Sequence, residues 1–105
     1  LASGMGGVRG HLAHPGMCAF LLRVAAEHGI RVQRALFPRS TSDVAAVHLQ
    51  RGGIPSMVIN IPRRYAHSPV ETLDLDDVVA TLELLDAAVR AFDETVEFDF
   101  LAGYR

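Results

Sequence analysis

The sequence predicts the closing part of a larger α/β domain, an αβαβα run with short parallel strands, and three observations carry that prediction. Apolar residues recur at three- and four-residue spacing in separate stretches, as on one face of a helix. Two short runs of β-forming residues lie between those stretches. Two strands seldom make an independent sheet, so further strands are expected from outside these elements.

The first helix starts at Pro15, where a missing N–H costs nothing, and Met17, Phe20, Leu21, Val24 and Ala25 line its apolar face. Gly29 suits a left-handed cap at its end. Residues 30–37 follow, in which Ile30, Val32 and Leu36 lean toward a half-buried strand closed by Pro38. Thr41 or Ser42 can cap a short helix over roughly 43–51, and Gly52-Gly53 stop it. Residues 55–61, PSMVINI, have the pattern of a strand buried on both faces, as in a parallel sheet. Strand, helix and strand in that order imply a right-handed crossover. Residues 63–72 read as a loop. Asp74 caps the last helix with Asp77 three residues on, and Val78, Val79, Leu82, Leu85, Ala88, Val89 and Phe92 are its expected buried face. Residues 96–100 alternate weakly, as an added edge strand would. Residues 1–11 are glycine-rich and unpatterned, a cut or disordered lead-in, and 12–105 form one segment.

Bulk properties exclude several function classes. Half of the 105 residues are hydrophobic and 21% are charged, the balance of a globular domain. A net charge of −2 offers no electrostatic reason to expect nucleic acid or an anionic membrane surface. A single cysteine, Cys18, precludes an internal disulfide and fits a reducing, cytoplasmic setting. No run of about eighteen apolar residues is present, so no membrane span is expected. No signal-peptide pattern is present either.

Ligands of open α/β sheets sit beyond the carboxyl ends of the strands. Two polar loops leave the expected strands there: PRSTSD over residues 38–43 and PRRYAHSPVE over residues 62–71. In the second, His67 stands between Pro62 and Pro69, whose fixed backbone suits an imidazole that must be oriented in advance to ligate a metal. Taken alone, His67 is weak evidence, since a lone loop histidine is more often an exposed or hydrogen-bonded residue than a ligand.

The longer string RSTSDVAAVHLQRGGIPSMVINIPRRYAHSPVETLDLDDV resembles the end of the catalytic domain in the glutamyl and tetrahedral aminopeptidases, metallopeptidase family forty-two. The family pattern is close to R-G-G-T-D-A, a short helix, G-G-V-P, an apolar strand, then P-x-R-Y-x-H-S-P-x-E. Arg39, Asp43, Gly52, Gly53, Pro55, Pro62, Arg64, Tyr65, His67, Ser68, Pro69 and Glu71 fall on it in register, and the resemblance covers roughly residues 12–91. It implies a three-layer α/β/α catalytic domain carrying two divalent metals, zinc or cobalt, that acts on the N-terminal residues of peptides. His67 then maps onto one metal ligand. The other ligands and the glutamate base come from earlier in the family's chains and have no counterpart here. No catalytic residue is therefore assigned, and the isolated chain is expected to be inactive and to bind no metal tightly.

The resemblance also suggests roles for the neighbours of His67. Arg39, Arg64 and Tyr65 are the substrate-binding candidates. Arg39 meets a substrate carboxylate or else pairs with Asp43 at the surface, and Arg64 and Tyr65 contact substrate or else brace the loop. Asp43, Ser68 and Glu71 are supporting groups: Asp43 as helix cap, Ser68 as loop cap, Glu71 as a carboxylate able to fix the tautomer of a metal-bound histidine. Ser40, Thr41 and Ser42 replace the family's Gly-Gly-Thr, and Val44 its alanine, so that turn is stiffer and substrate preference does not transfer. His11, His14, His28 and His48 receive no chemistry, and Cys18 is a small buried hydrophobe.

Two readings of different class follow. In the first, the chain is part of a metal-dependent aminopeptidase, with peptide substrate and the remainder of the catalytic domain as partners. In the second, it is a non-catalytic folding or assembly module that binds a partner through an exposed strand edge. Self-association is expected of either, because an unpaired edge and an uncovered face invite it. A third, an acylpeptide-type or glycan hydrolase, lacks a nucleophile motif such as G-x-S-x-G. Family members form hollow oligomers through an inserted domain with no counterpart here.

Overall fold

A computed structural model describes residues 13–35, 43–96 and 98. Among these residues three helices and one two-stranded hairpin appear in chain order: α1 Pro15–Glu27, α2 Val44–Val47, a 3-10 turn Gln50–Gly52, β1 Arg63–Arg64, β2 Thr72–Leu73 and α3 Leu75–Ala91.

Helix α1 begins and ends on local signals. Pro15 occupies its first turn, and the His14 ring nitrogen Nδ1 accepts the Gly16 N–H at 3.0 Å, satisfying one of the free donors there. At the other end Gly29 takes φ +64°. Its N–H donates to the Ala26 carbonyl at 3.3 Å and the Ile30 N–H to the Ala25 carbonyl at 2.8 Å. This is the Schellman pair of bonds, and Ile30 folds back against the core as that motif favours.

Helix α3 starts at Asp74, whose carboxylate accepts the Asp76 N–H at 2.8 Å, with Asp76 and Asp77 in the first turn where a helix end favours negative charge. It packs against α1. The core is Phe20, Val24 and Ala25 from α1 with Leu84, Ala87 and Ala88 from α3, edged by Met17, Leu21, Ile30, Ile59, Ala91 and Val96. The expected buried face of α3 is corrected here: of its seven members only Ala88 is buried, while Leu82 and Val89 are 66% and 75% exposed. At about 100° per residue, Leu75, Val79, Leu82 and Val89 lie opposite the Leu84–Ala87–Ala88–Ala91 stripe that meets α1. The helix carries two apolar faces, and α1 covers one.

The two expected strands, and with them the parallel crossover and the three-layer arrangement, are not formed among the described residues. Residues 30–35 and 55–61 lie outside any ladder, and residues 36–37 lie outside the described residues. A strand needs a neighbour's backbone groups, and among the described residues 55–61 meets single tethers: the His14 N–H donates to the Ser56 carbonyl at 3.1 Å, and Ile59 packs on the core. Accordingly residues 55–59 are half-buried rather than enclosed on both faces. Among the described residues the one sheet is the antiparallel pair β1–β2, with Arg63 opposite Leu73 and Arg64 opposite Thr72. The expected helix over 43–51 is also shorter. It stops at Val47, and Arg51, Gly52 and Gly53 all have positive φ (48°, 81° and 112°), turning the chain out of helical geometry. Val96 is not in a strand, and most of the expected edge strand beyond it, like residues 1–12, lies outside the described residues.

Candidate functional site

The polar segment read from sequence as a loop is a hairpin. Its two rungs at 63–64 and 72–73 close residues 65–71 into a tight excursion that carries His67 at its centre. Three kinds of contact shape it. Ser68 donates its N–H to the Tyr65 carbonyl at 3.2 Å, closing a turn over residues 65–68. The Ser68 hydroxyl lies 2.6 Å from both the Tyr65 and Val70 carbonyl oxygens, and its single proton serves one or is shared between them. Glu71 Oε1 accepts the His67 backbone N–H at 2.6 Å, and Glu71 Oε2 lies 3.6 Å from Arg63 Nη1.

Tyr65 and His67 both sit at positive φ, 64° and 62°. A non-glycine residue there brings Cβ close to its own carbonyl oxygen, at a cost of roughly 1–2 kcal/mol each. Such conformations persist where surrounding bonds over-determine them, and the Ser68 and Glu71 bonds do so here.

The other candidates fall as follows. Arg64 lies on β1 and lines a shallow recess between the hairpin and the start of α3, together with Arg63, Thr72, Leu73, Asp74 and Asp77. Tyr65 is 65% exposed. The hairpin thus brings Arg64, Tyr65, His67, Ser68 and Glu71 together. Asp43 stands at the N-cap of α2, but its backbone is already helical and its side chain makes no cap bond, so the expected capping role is corrected. Arg39 lies outside the described residues. Glu71 bonds the His67 backbone rather than the ring, which corrects the expectation that it fixes the imidazole tautomer. His67 is exposed, and among the described residues no protein group bonds its imidazole.

Arg63 is the group that sequence reading passes over. Glu71 and Leu73 share a strand face, so Arg63, opposite Leu73, is the diagonal neighbour of Glu71. Only the hairpin register makes residues eight apart into neighbours.

An imidazole nitrogen suits zinc or cobalt, yet a working ion needs three or more protein ligands. Among the described residues no group of three or more His, Cys, Asp or Glu side chains converges on one point. What these residues can offer is a single ligand, held on a hydrogen-bonded hairpin.

Comparison with known proteins covers this same stretch. The chain is 38% identical over 81 residues to a putative aminopeptidase of Acetivibrio thermocellus, covering 77% of this chain and 24% of that protein. It is 32% identical over 84 residues to a glutamyl aminopeptidase of Lactococcus lactis, covering 80% of this chain and 23% of the relative. With a lysyl aminopeptidase of Pyrococcus furiosus it shares 34% identity over 88 residues, 83% of this chain and 25% of the relative. The chain therefore spans about a quarter of the length of these curated relatives. A family profile described as M42 glutamyl aminopeptidase matches residues 6–84, a span that takes in α1, the whole hairpin and the first part of α3. With three quarters of its residues inside that match, the chain belongs to the M42 glutamyl aminopeptidase family.

Proposed function

We propose that this chain is the C-terminal part of the catalytic domain of a dinuclear metal-dependent aminopeptidase, and that His67 is one of its metal ligands. The observation that carries the proposal is the coincidence of the family match with a hairpin that presents an unbonded, exposed imidazole on a fixed backbone. When bound, two divalent ions, zinc or cobalt, supply an activated water for attack on the N-terminal peptide bond. The residues of this chain hold and orient. His67 lends a ring nitrogen, and Arg64, Tyr65 and Arg39 are the residues proposed to bind substrate. Ser68 and Glu71 keep the hairpin closed. The remaining ligands and the general base come from outside these residues, so the isolated chain is inactive. The relatives' names, glutamyl and lysyl, point to side chains of opposite charge, so family membership by itself assigns this chain no substrate preference.

The outer face of α3, with Leu75, Val79, Leu82 and Val89 exposed, supports the remainder of the catalytic domain as partner. A helix apolar on opposite faces is normally covered on both. The same face supports self-association of the chain by itself, and the second reading, a non-catalytic assembly module, rests on it. A cytoplasmic setting is proposed on the single cysteine. Among the described residues no helix is long and apolar enough to cross a membrane.

The test is an assay of the polypeptide that carries these residues, against aminoacyl-p-nitroanilides with zinc or cobalt. Turnover that a chelator abolishes, and that His67→Ala lowers about 100-fold or more, is the expected result, since a metal site contributes several kcal/mol at about 1.4 kcal/mol per decade. Full activity of His67→Ala sinks the ligand assignment. Turnover by the isolated 105 residues would overturn the claim that the other ligands lie elsewhere.

A further inference from the structure

We infer that Glu71, held by Arg63, is a positioning residue for His67 that acts through the backbone and not through the ring. The inference rests on the reading of His67 as a metal ligand. At φ +62° the Cα–Cβ bond of His67 leaves the chain in a direction that no ordinary negative φ reproduces. Whatever fixes that φ therefore fixes where the imidazole goes. Ser68 closes the turn over residues 65–68, of which His67 is the third residue, through bonds to Tyr65 and Val70, but none of those bonds is made by an atom of His67. The bond made by His67 itself runs from its N–H to Glu71 Oε1, at 2.6 Å. A charged acceptor makes such a bond roughly twice as strong as a neutral one.

The second oxygen explains why the carboxylate stays in place. Glu71 Oε2 lies 3.6 Å from Arg63 Nη1 on the paired strand, with the two side chains 31% and 44% exposed. An ion pair that open contributes little energy. Its effect is directional: with one oxygen turned toward the guanidinium, the other points at the turn. The Arg63–Leu73 rung ties this pair to the hairpin register. The imidazole is left without a protein bond among the described residues, so both ring nitrogens stay open to a partner. A metal-binding histidine usually spends its second nitrogen on a carboxylate that orients the ring. Here the hairpin carboxylate orients the residue one step earlier, at its backbone.

The test has two arms. In the metal-free 105-residue chain, NMR follows amide exchange and the three-bond HN–Hα coupling of His67. Glu71→Ala should abolish the exchange protection and move the coupling toward a conformational average. Glu71→Gln, which keeps an acceptor, should recover part of both, and Arg63→Ala should lower the protection by less than Glu71→Ala. The hairpin is exposed, and unchanged resonances of α1 and α3 report that the fold is intact. In the metal-loaded aminopeptidase, zinc competition with a chromogenic chelator should show affinity falling about 10–100-fold in Glu71→Ala, the range for groups that support a ligand. His67 exchange and coupling unchanged in Glu71→Ala would overturn the backbone clamp. If the backbone relaxes while zinc affinity holds in Glu71→Ala and falls in His67→Ala, the positioning role is overturned and the ligand reading stands. Zinc affinity unchanged in both variants overturns the ligand reading itself.

Discussion

The Ser68 hydroxyl sits 2.6 Å from the carbonyl oxygen of Tyr65, the residue whose own φ is 64°. That contact ties the first left-handed residue of the hairpin to the residue just after the second, and it makes Ser68 a structural cinch. Ser68→Ala removes the hydroxyl and leaves the Ser68 N–H bond to Tyr65 in place. The expected cost is about 0.5–1.5 kcal/mol, the net value of one such bond. It should appear as faster amide exchange across residues 65–71, with the cooperative melting of the helices almost unmoved. A large drop in melting temperature would show instead that the hairpin is part of the core unit.

Gly29 is the opposite kind of left-handed residue, one the sequence announces. Nothing lies within 4 Å of a Cβ built at this position, so Gly29→Ala meets no clash and suffers only the backbone penalty of φ +64°. The expected loss is roughly 1 kcal/mol, a fall of about 4–8 °C in melting temperature for a domain of this size. Gly29→Asn should lose less, because Asn tolerates that region better. An alanine variant as stable as the parent would mean that α1 ends in some other way.

These two turns show what could and could not be read from the sequence. Gly29 and Pro15 act on the residues beside them, so both ends of α1 follow from local chemistry, as does the Asp74 cap of α3. In the sequence the hairpin shows as a loop with two prolines around a histidine and with Ser68 and Glu71 as supporting groups, not as a paired hairpin. Its closure depends on Arg63 meeting Glu71 across a two-rung ladder, and on left-handed geometry at a tyrosine and a histidine, which residue type disfavours. Residues 55–61 join no ladder among the described residues for a related reason. An apolar run states that a segment wants burial, and a ladder requires a partner that no local pattern supplies.

Helix α3 shows the same limit in a testable form, because periodicity finds a helix without saying which neighbour covers which face. Leu84 is 6% exposed and packs on α1, whereas Leu82 is 66% exposed on the far side. In dilute isolated chain Leu84→Ala should cost about 2–3 kcal/mol, the lower part of the range for buried leucines in a core this shallow. Leu82→Lys should stay within about 0.5 kcal/mol. At high protein concentration the same Leu82→Lys should weaken self-association, measured by sedimentation, while Leu84→Ala leaves it alone in the folded fraction. If both substitutions destabilise the dilute monomer equally, the outer face is already buried and the two-faced description of α3 is wrong.

The segment after α3 supplies a pH signature that is independent of the metal question. Asp93 Oδ1 accepts both the Thr95 hydroxyl at 2.5 Å and the Thr95 backbone N–H at 2.8 Å. These two bonds, the hydroxyl's first, hold the Asp93 carboxyl below its ordinary value of 3.8, with a smaller contribution from Arg23. Because the folded value is depressed, the bonds contribute above the unfolded value and are lost as pH falls through the folded one, so the window lies below 3.8. Thr95→Val removes the larger cause and keeps the backbone bond, and the Asp93 titration followed by NMR should move part of the way back up toward 3.8. Asp93 is fully exposed, so the change should register at this turn and leave the acid unfolding of the helices where it was. An Asp93 titration identical in the two proteins would show that the Thr95 hydroxyl points elsewhere in solution.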